Sequence, residues 1–157
     1  MSWISRLSAA ALTATLLAAT SAHAQTITPN PNTFTITGGM NIDPGVATCN
    51  FTMTFDVPAG GASATVTSAA ITGGSSNCPA ITFKGAPWNV RVGAGKLYVD
   101  NFDLFVFPNN PCGGGTLEMD WVTSATTNGY GFFYSQIGWC TVFGAGEVNS
   151  TVPIYVN

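Results

Sequence analysis

Apolar and polar residues alternate along most of this chain. From Ala47 to Val57, the side chains of Ala47, Cys49, Phe51, Met53, Phe55 and Val57 fall on one side of an extended backbone, and Thr48, Asn50, Thr52, Thr54 and Asp56 on the other. A period of two with one apolar side predicts a β-strand that buries a single face. Pro58 and Gly60-Gly61 end it. The pattern recurs in Thr33–Thr37 (Phe34, Ile36), in Ala62, Ala64 and Val66, in Trp88, Val90 and Val92, in Leu97 and Val99, and in Leu117, Met119 and Trp121. Phe102 to Phe107 is apolar on both sides, as expected of a strand enclosed between two sheets. Val152, Ile154 and Val156 predict a last short strand with Pro153 at its edge. Turns fall at Gly73–Asn77, Gly93-Ala94-Gly95, Pro108–Pro111 and Gly113-Gly114-Gly115. No segment beyond the first 24 residues shows helical spacing with caps. The expected fold is all-β, an antiparallel β-sandwich or a partly closed barrel.

The first 24 residues break this pattern. Arg6 gives a positive start, Ala9 to Ala19 is apolar but too short to span a bilayer, and Ala22-His23-Ala24 matches an A-x-A cleavage site. Residues 1–24 therefore read as a secretory signal peptide of a Gram-negative bacterium. Residues 25–157 read as one secreted domain, periplasmic, surface-bound or released, with no transmembrane segment. The only histidine, His23, belongs to the leader.

Charge narrows the function classes. Charged residues make up 7% of the chain, against roughly a quarter in an average soluble domain. Beyond the leader only Lys84, Arg91 and Lys96 are basic, against seven acids. Nucleic acid and anionic membranes need clustered Lys and Arg, so neither is an expected partner. Weak charge repulsion leaves the surface free to meet a matrix, an apolar phase or another copy.

Cys49, Cys78, Cys112 and Cys140 all lie beyond the leader. An even number in an oxidising compartment predicts disulfides. Spacing does not choose among the three pairings. Cys49–Cys78 with Cys112–Cys140, closing two separate loops, is preferred. With no CxxC pair and no histidine, a zinc site is not expected, and no metal or cofactor is assigned.

Catalysis finds little footing. Without histidine there is no Ser-His-Asp or Cys-His constellation, and Lys84 and Lys96 lie in no Ser-Lys motif. Glu118 and Asp120 are the nearest pair for glycoside hydrolysis, but their alternation with Leu117, Met119 and Trp121 makes them the wet side of a strand. Asp100-Asn101-Phe102-Asp103, with Asn109-Asn110, gathers oxygen ligands in what reads as a turn, at spacings foreign to an EF-hand. No catalytic residue is assigned. The strongest binding candidate is Tyr130-Gly131-Phe132-Phe133-Tyr134. Alternation buries either Tyr130, Phe132 and Tyr134 or Phe133 alone and exposes the other set; a strand buried on both faces is the competing reading. Tyr130, Phe132, Phe133 and Tyr134 are thus the candidate contact residues.

One stretch is more specific than its strand pattern. Ser76-Asn77-Cys78-Pro79-Ala80-Ile81 followed by Gly85-Ala86-Pro87-Trp88 resembles the Cys-x-x-Ile…Pro-Trp segment of the PraB-type alkane oxidation activator family. Phe34-Thr35-Ile36-Thr37-Gly38, Cys49, Pro111-Cys112-Gly113 and the Val152-Pro153-Ile154 end fall in register with it. Asp100–Phe107 and the aromatic run have no counterpart in that pattern. The resemblance implies a secreted or surface-associated, non-enzymatic protein acting in biofilm formation, adhesion or growth on hydrocarbons. Two alternatives stand beside it. One is a pilin-like fibre subunit that lends Thr26–Thr37 to a neighbour's open sheet. The other is a glycosidase or carbohydrate-binding module.

Overall fold

In a computed structural model, the chain is described over residues 24–43, 47–106, 111–124 and 126–157. The expected leader, apart from Ala24, and the expected turn at Pro108–Pro111, apart from Pro111, lie outside these residues. Eleven strands follow in order: β1 (Ile27–Thr28), β2 (Asn32–Asp43), β3 (Ala47–Val57), β4 (Ser63–Gly74), β5 (Ile81–Lys84), β6 (Trp88–Gly93), β7 (Lys96–Val106), β8 (Gly115–Ser124), β9 (Thr127–Ile137), β10 (Cys140–Asn149) and β11 (Tyr155–Val156). A single 3₁₀ turn, Cys78–Ala80, precedes β5.

The sheet closes on itself. Neighbours run β7-β6-β4-β3-β2-β10-β9-β8, every pair antiparallel, and β8 pairs back onto β7. The protein is therefore an eight-stranded up-and-down barrel rather than a sandwich. Period-two alternation is common to both architectures, since each buries one face of every strand. Closure instead depends on long-range pairing, Ile36 with Val148 between β2 and β10 and Leu97 with Met119 between β7 and β8. The segment that favoured a sandwich alternates after all. Phe102, Leu104 and Val106 point inward, while Asp103 and Phe105 are half-buried on the outside. Lys84 Nζ lies 5.4 Å from the centre of the Phe105 ring, and Pro111 bridges to Phe105.

Side chains fill the interior, as expected for eight strands. Phe34 stacks on Phe55 at 5.0 Å, Trp121 meets Phe34 edge-on at 5.9 Å, and Phe51 meets Phe133 at 5.7 Å. Burying each such ring contributes ~1.5–3 kcal/mol. The wall between β2 and β10 tolerates no side chain at Gly38: a Cβ there would fall 2.0 Å from the Ala145 carbonyl oxygen.

Both ends are fastened. The β1–β11 ribbon pairs Ile27 with Val156, and Ile154 beside it accepts a hydrogen bond from Trp121 Nε1 at 2.9 Å. Only Tyr155–Val156 of the expected last strand is extended and paired, with Val152 exposed. Strand directions put both disulfides at the opposite end, Cys49–Cys78 and Cys112–Cys140, the preferred pairing. β2 pairs with β3 on one edge and β10 on the other, so Phe34 and Ile36 complete this chain's own sheet.

Candidate functional site

Strand β9 carries the aromatic run, and its alternation selects one of the two expected arrangements. Gly131, Phe133 and Ser135 face the interior; Tyr130, Phe132 and Tyr134 face out. Phe133 is thus a core residue and leaves the set of contact candidates. The reason is space: Phe133 meets Phe51, whereas Gly131 alone leaves room for the Met119 side chain, whose Sδ would sit 2.3 Å from a Cβ at that position.

The outward residues form a row. Tyr134 is 75% exposed and Phe132 48%. The Tyr130 and Phe132 rings lie 4.7 Å apart. Phe143, 36% exposed, stands opposite Tyr134 on β10, with their rings 5.9 Å apart. Val122 on β8 stands opposite Tyr130 and is also exposed. Phe143 was not singled out from the sequence, although a signal existed. A two-residue turn at Gly138-Trp139 pairs Ile137 with Cys140 and so brings Tyr134 opposite Phe143. Trp139 in that turn is exposed, with its Nε1 donating to the Pro111 carbonyl at 2.7 Å.

Acids stand beside the row: Asp120 on β8 lies opposite Phe132, and Glu147 on β10 lies opposite Tyr130. On the outer side of β8, Glu118 and Asp120 hold Lys96 between them, with Nζ 2.9 Å from Asp120 Oδ1 and hydrogen-bonded to Glu118 Oε1. The hydrogen bonds that Lys96 donates, first to Glu118 and then to Asp120, keep its ammonium protonated well above its ordinary range. The two acids weighed for glycoside hydrolysis therefore serve as a clamp for a surface lysine.

The expected oxygen-rich turn is a bulge inside β7. Asn101 adopts φ 57°, and the register with β8 shifts between Val99 and Phe102. Asp100 accepts two bonds from Arg91, Nε at 2.6 Å and Nη2 at 2.8 Å, and a third from Thr116 Oγ1 at 3.2 Å. The Arg91 guanidinium holds the Asp100 carboxyl below its usual range. Asp103 lies opposite Lys84 on β5. Among the described residues no three His, Cys, Asp or Glu side chains gather as a metal site.

What the row offers is contact. At about 200 Å² per aromatic side chain and the exposures above, Phe132, Tyr134 and Phe143 present ~300 Å² of apolar surface. That is worth ~7 kcal/mol gross at ~25 cal/mol per Å², comparable with the ~4–15 kcal/mol cost of immobilising a protein.

The sequence model of the family described as "Alkane oxidation protein activator PraA/PraB-like" matches residues 1–156. The chain belongs to the PraA/PraB-like family. The match spans the aromatic run and Asp100–Phe107, the segments that had no counterpart in the resembling motifs. Comparison with curated proteins and with solved structures found no match. For a PraA/PraB-like protein, the family description speaks of activation, and the barrel presents a surface on which contact can occur.

Proposed function

We propose that this PraA/PraB-like protein works outside the cytoplasm and without catalysis, by attaching through the outer face of β8–β10 to apolar surfaces or to an extracellular matrix. The observation that carries this reading is the outward row of half-buried Tyr130 with exposed Phe132, Tyr134 and Phe143, in a chain with 7% charged residues. Two disulfides suit an oxidising compartment. The energy worked out above makes one copy a weak binder, so attachment depends on many copies acting together.

Adsorption of the purified protein to dispersed hexadecane droplets and to biofilm matrix tests it. Replacing Phe132, Tyr134 and Phe143 with serine should cut adsorption at least tenfold and leave the circular dichroism unchanged. Undiminished adsorption by the folded triple variant would refute the proposal.

A further inference from the structure

Among the described residues, the barrel wall is open along part of β4. β5 and β6 both run antiparallel to β7, as one line interrupted at Gly85-Ala86-Pro87. β4 follows that line only where Ser63–Val66 pair with Trp88–Arg91. Beyond Val66, β4 continues along β3 through a register shift, and its other edge has no strand partner among the described residues. The interruption explains the parting. Pro87 has no N–H to offer β4, and Gly85 sits at φ 81°, off the strand path. The result is an opening of about 750 Å³ framed by the β4 edge, the Cys78-Pro79 turn and β5. Ligand pockets are typically ~300–1,000 Å³.

Its lining is chemically selective. None of the described residues around it is ionisable. Ala69, Ile71, Pro79, Ile81 and Phe83 supply an apolar surface. Phe83 is half-buried and meets Trp88 at 6.0 Å and Phe102 at 5.6 Å, so the floor is continuous with the aromatic core. Along Thr67–Gly74, alternate backbone N–H and C=O groups point away from β3 and are not used by another strand. A carboxylate or ammonium entering here would lose hydration and find no counter-charge. A wholly apolar molecule would leave the strand-edge groups to water alone.

We infer that this opening binds a neutral, elongated aliphatic molecule bearing one uncharged hydrogen-bonding group, the chain lying on Ile71, Ile81 and Phe83 and the polar end meeting the β4 edge. The site is separate from the aromatic row, since β4 and β9 lie on opposite sides of the barrel.

Titration of the disulfide-bonded protein with 1-decanol, followed by ¹H–¹⁵N NMR, tests it. Saturable shifts should be confined to residues 67–76 and 81–83, and decanoate at pH 8 should bind at least tenfold more weakly. Ala69→Trp, which fills the opening, should abolish the shifts. Thr72→Asp, a milder change that brings in a charge, should weaken 1-decanol binding about tenfold. Four results would overturn the inference: no saturation up to the solubility limit, shifts centred on Tyr130–Tyr134, equal affinity for decanoate, or binding unaltered in a folded variant. Shifts along the β4 edge that follow protein concentration alone would overturn it too, assigning that edge to a second copy.

Discussion

Removing either disulfide should cost nearly the same stability. Cys49–Cys78 joins residues 29 apart and Cys112–Cys140 residues 28 apart. On the chain-entropy account, each cross-link removes ~3.5 kcal/mol of loop freedom from the unfolded chain, and one residue of loop length changes this by well under ~0.1 kcal/mol. All four cysteines are buried, so replacing a pair with alanine also leaves a small void that adds a similar amount at either site. The double variants Cys49→Ala/Cys78→Ala and Cys112→Ala/Cys140→Ala should each lose ~3–5 kcal/mol, a fall in Tm of roughly 10–15 °C. Urea unfolding followed by tryptophan fluorescence measures both on one scale. Suppose one variant loses ~4 kcal/mol and the other under ~1 kcal/mol, with equal m-values. Loop closure could not then be the origin of the stabilisation, and the reasoning would fail.

Other outcomes follow from single positions. Phe133→Ala should destabilise by ~3–4 kcal/mol, whereas Phe132→Ala, its exposed neighbour, should stay within ~0.5 kcal/mol, both read from urea midpoints. Gly38→Ala should cost ~2 kcal/mol or more, because the atom it meets is backbone of β10 and the two strands must part; thermal melts check this. The Arg91–Asp100 pair gives a pH signature. Asp100 titrates below its unfolded value, so its contribution is complete above the unfolded pKa and lost as pH falls through the folded one. Asp100→Asn should therefore be less stable than the parent at pH 7, with the gap closing as pH falls through the folded pKa and shrinking in 1 M salt.

Strand faces were legible because a strand's side chains have only two directions, and Cys49 through Val57 leave no doubt which is inward. Whether the sheet would curl until β10 met β2 was not legible. That pairing joins Ile36 to Val148, with nothing local to announce it. The inward glycines carry no such cue either: Gly38, Gly144 and Gly146 would suit a strand break as well, yet they let two strand backbones approach. In the aromatic run, alternation left two phases, and only the fit of Phe133 against Phe51 decides between them. The opening beside β4 had one written cue, Pro87, but a proline marks a missing hydrogen bond and not which neighbour has lost it. Asp100–Asp103 read as a turn because polar residues cluster there; the left-handed Asn101 absorbs one residue and the strand resumes.

The small ribbon beneath the barrel makes the described chain almost a ring. Thr26 N–H donates to the Asn157 carbonyl at 3.2 Å, and Asn157 N–H donates to the Thr26 carbonyl at 3.0 Å. A linker of a few residues could join these two positions, and new termini could be cut at Gly93-Ala94-Gly95, leaving every barrel pairing in place. Such a rewired molecule would begin at Lys96, and it would carry any fused cargo on a different strand connection from the native one.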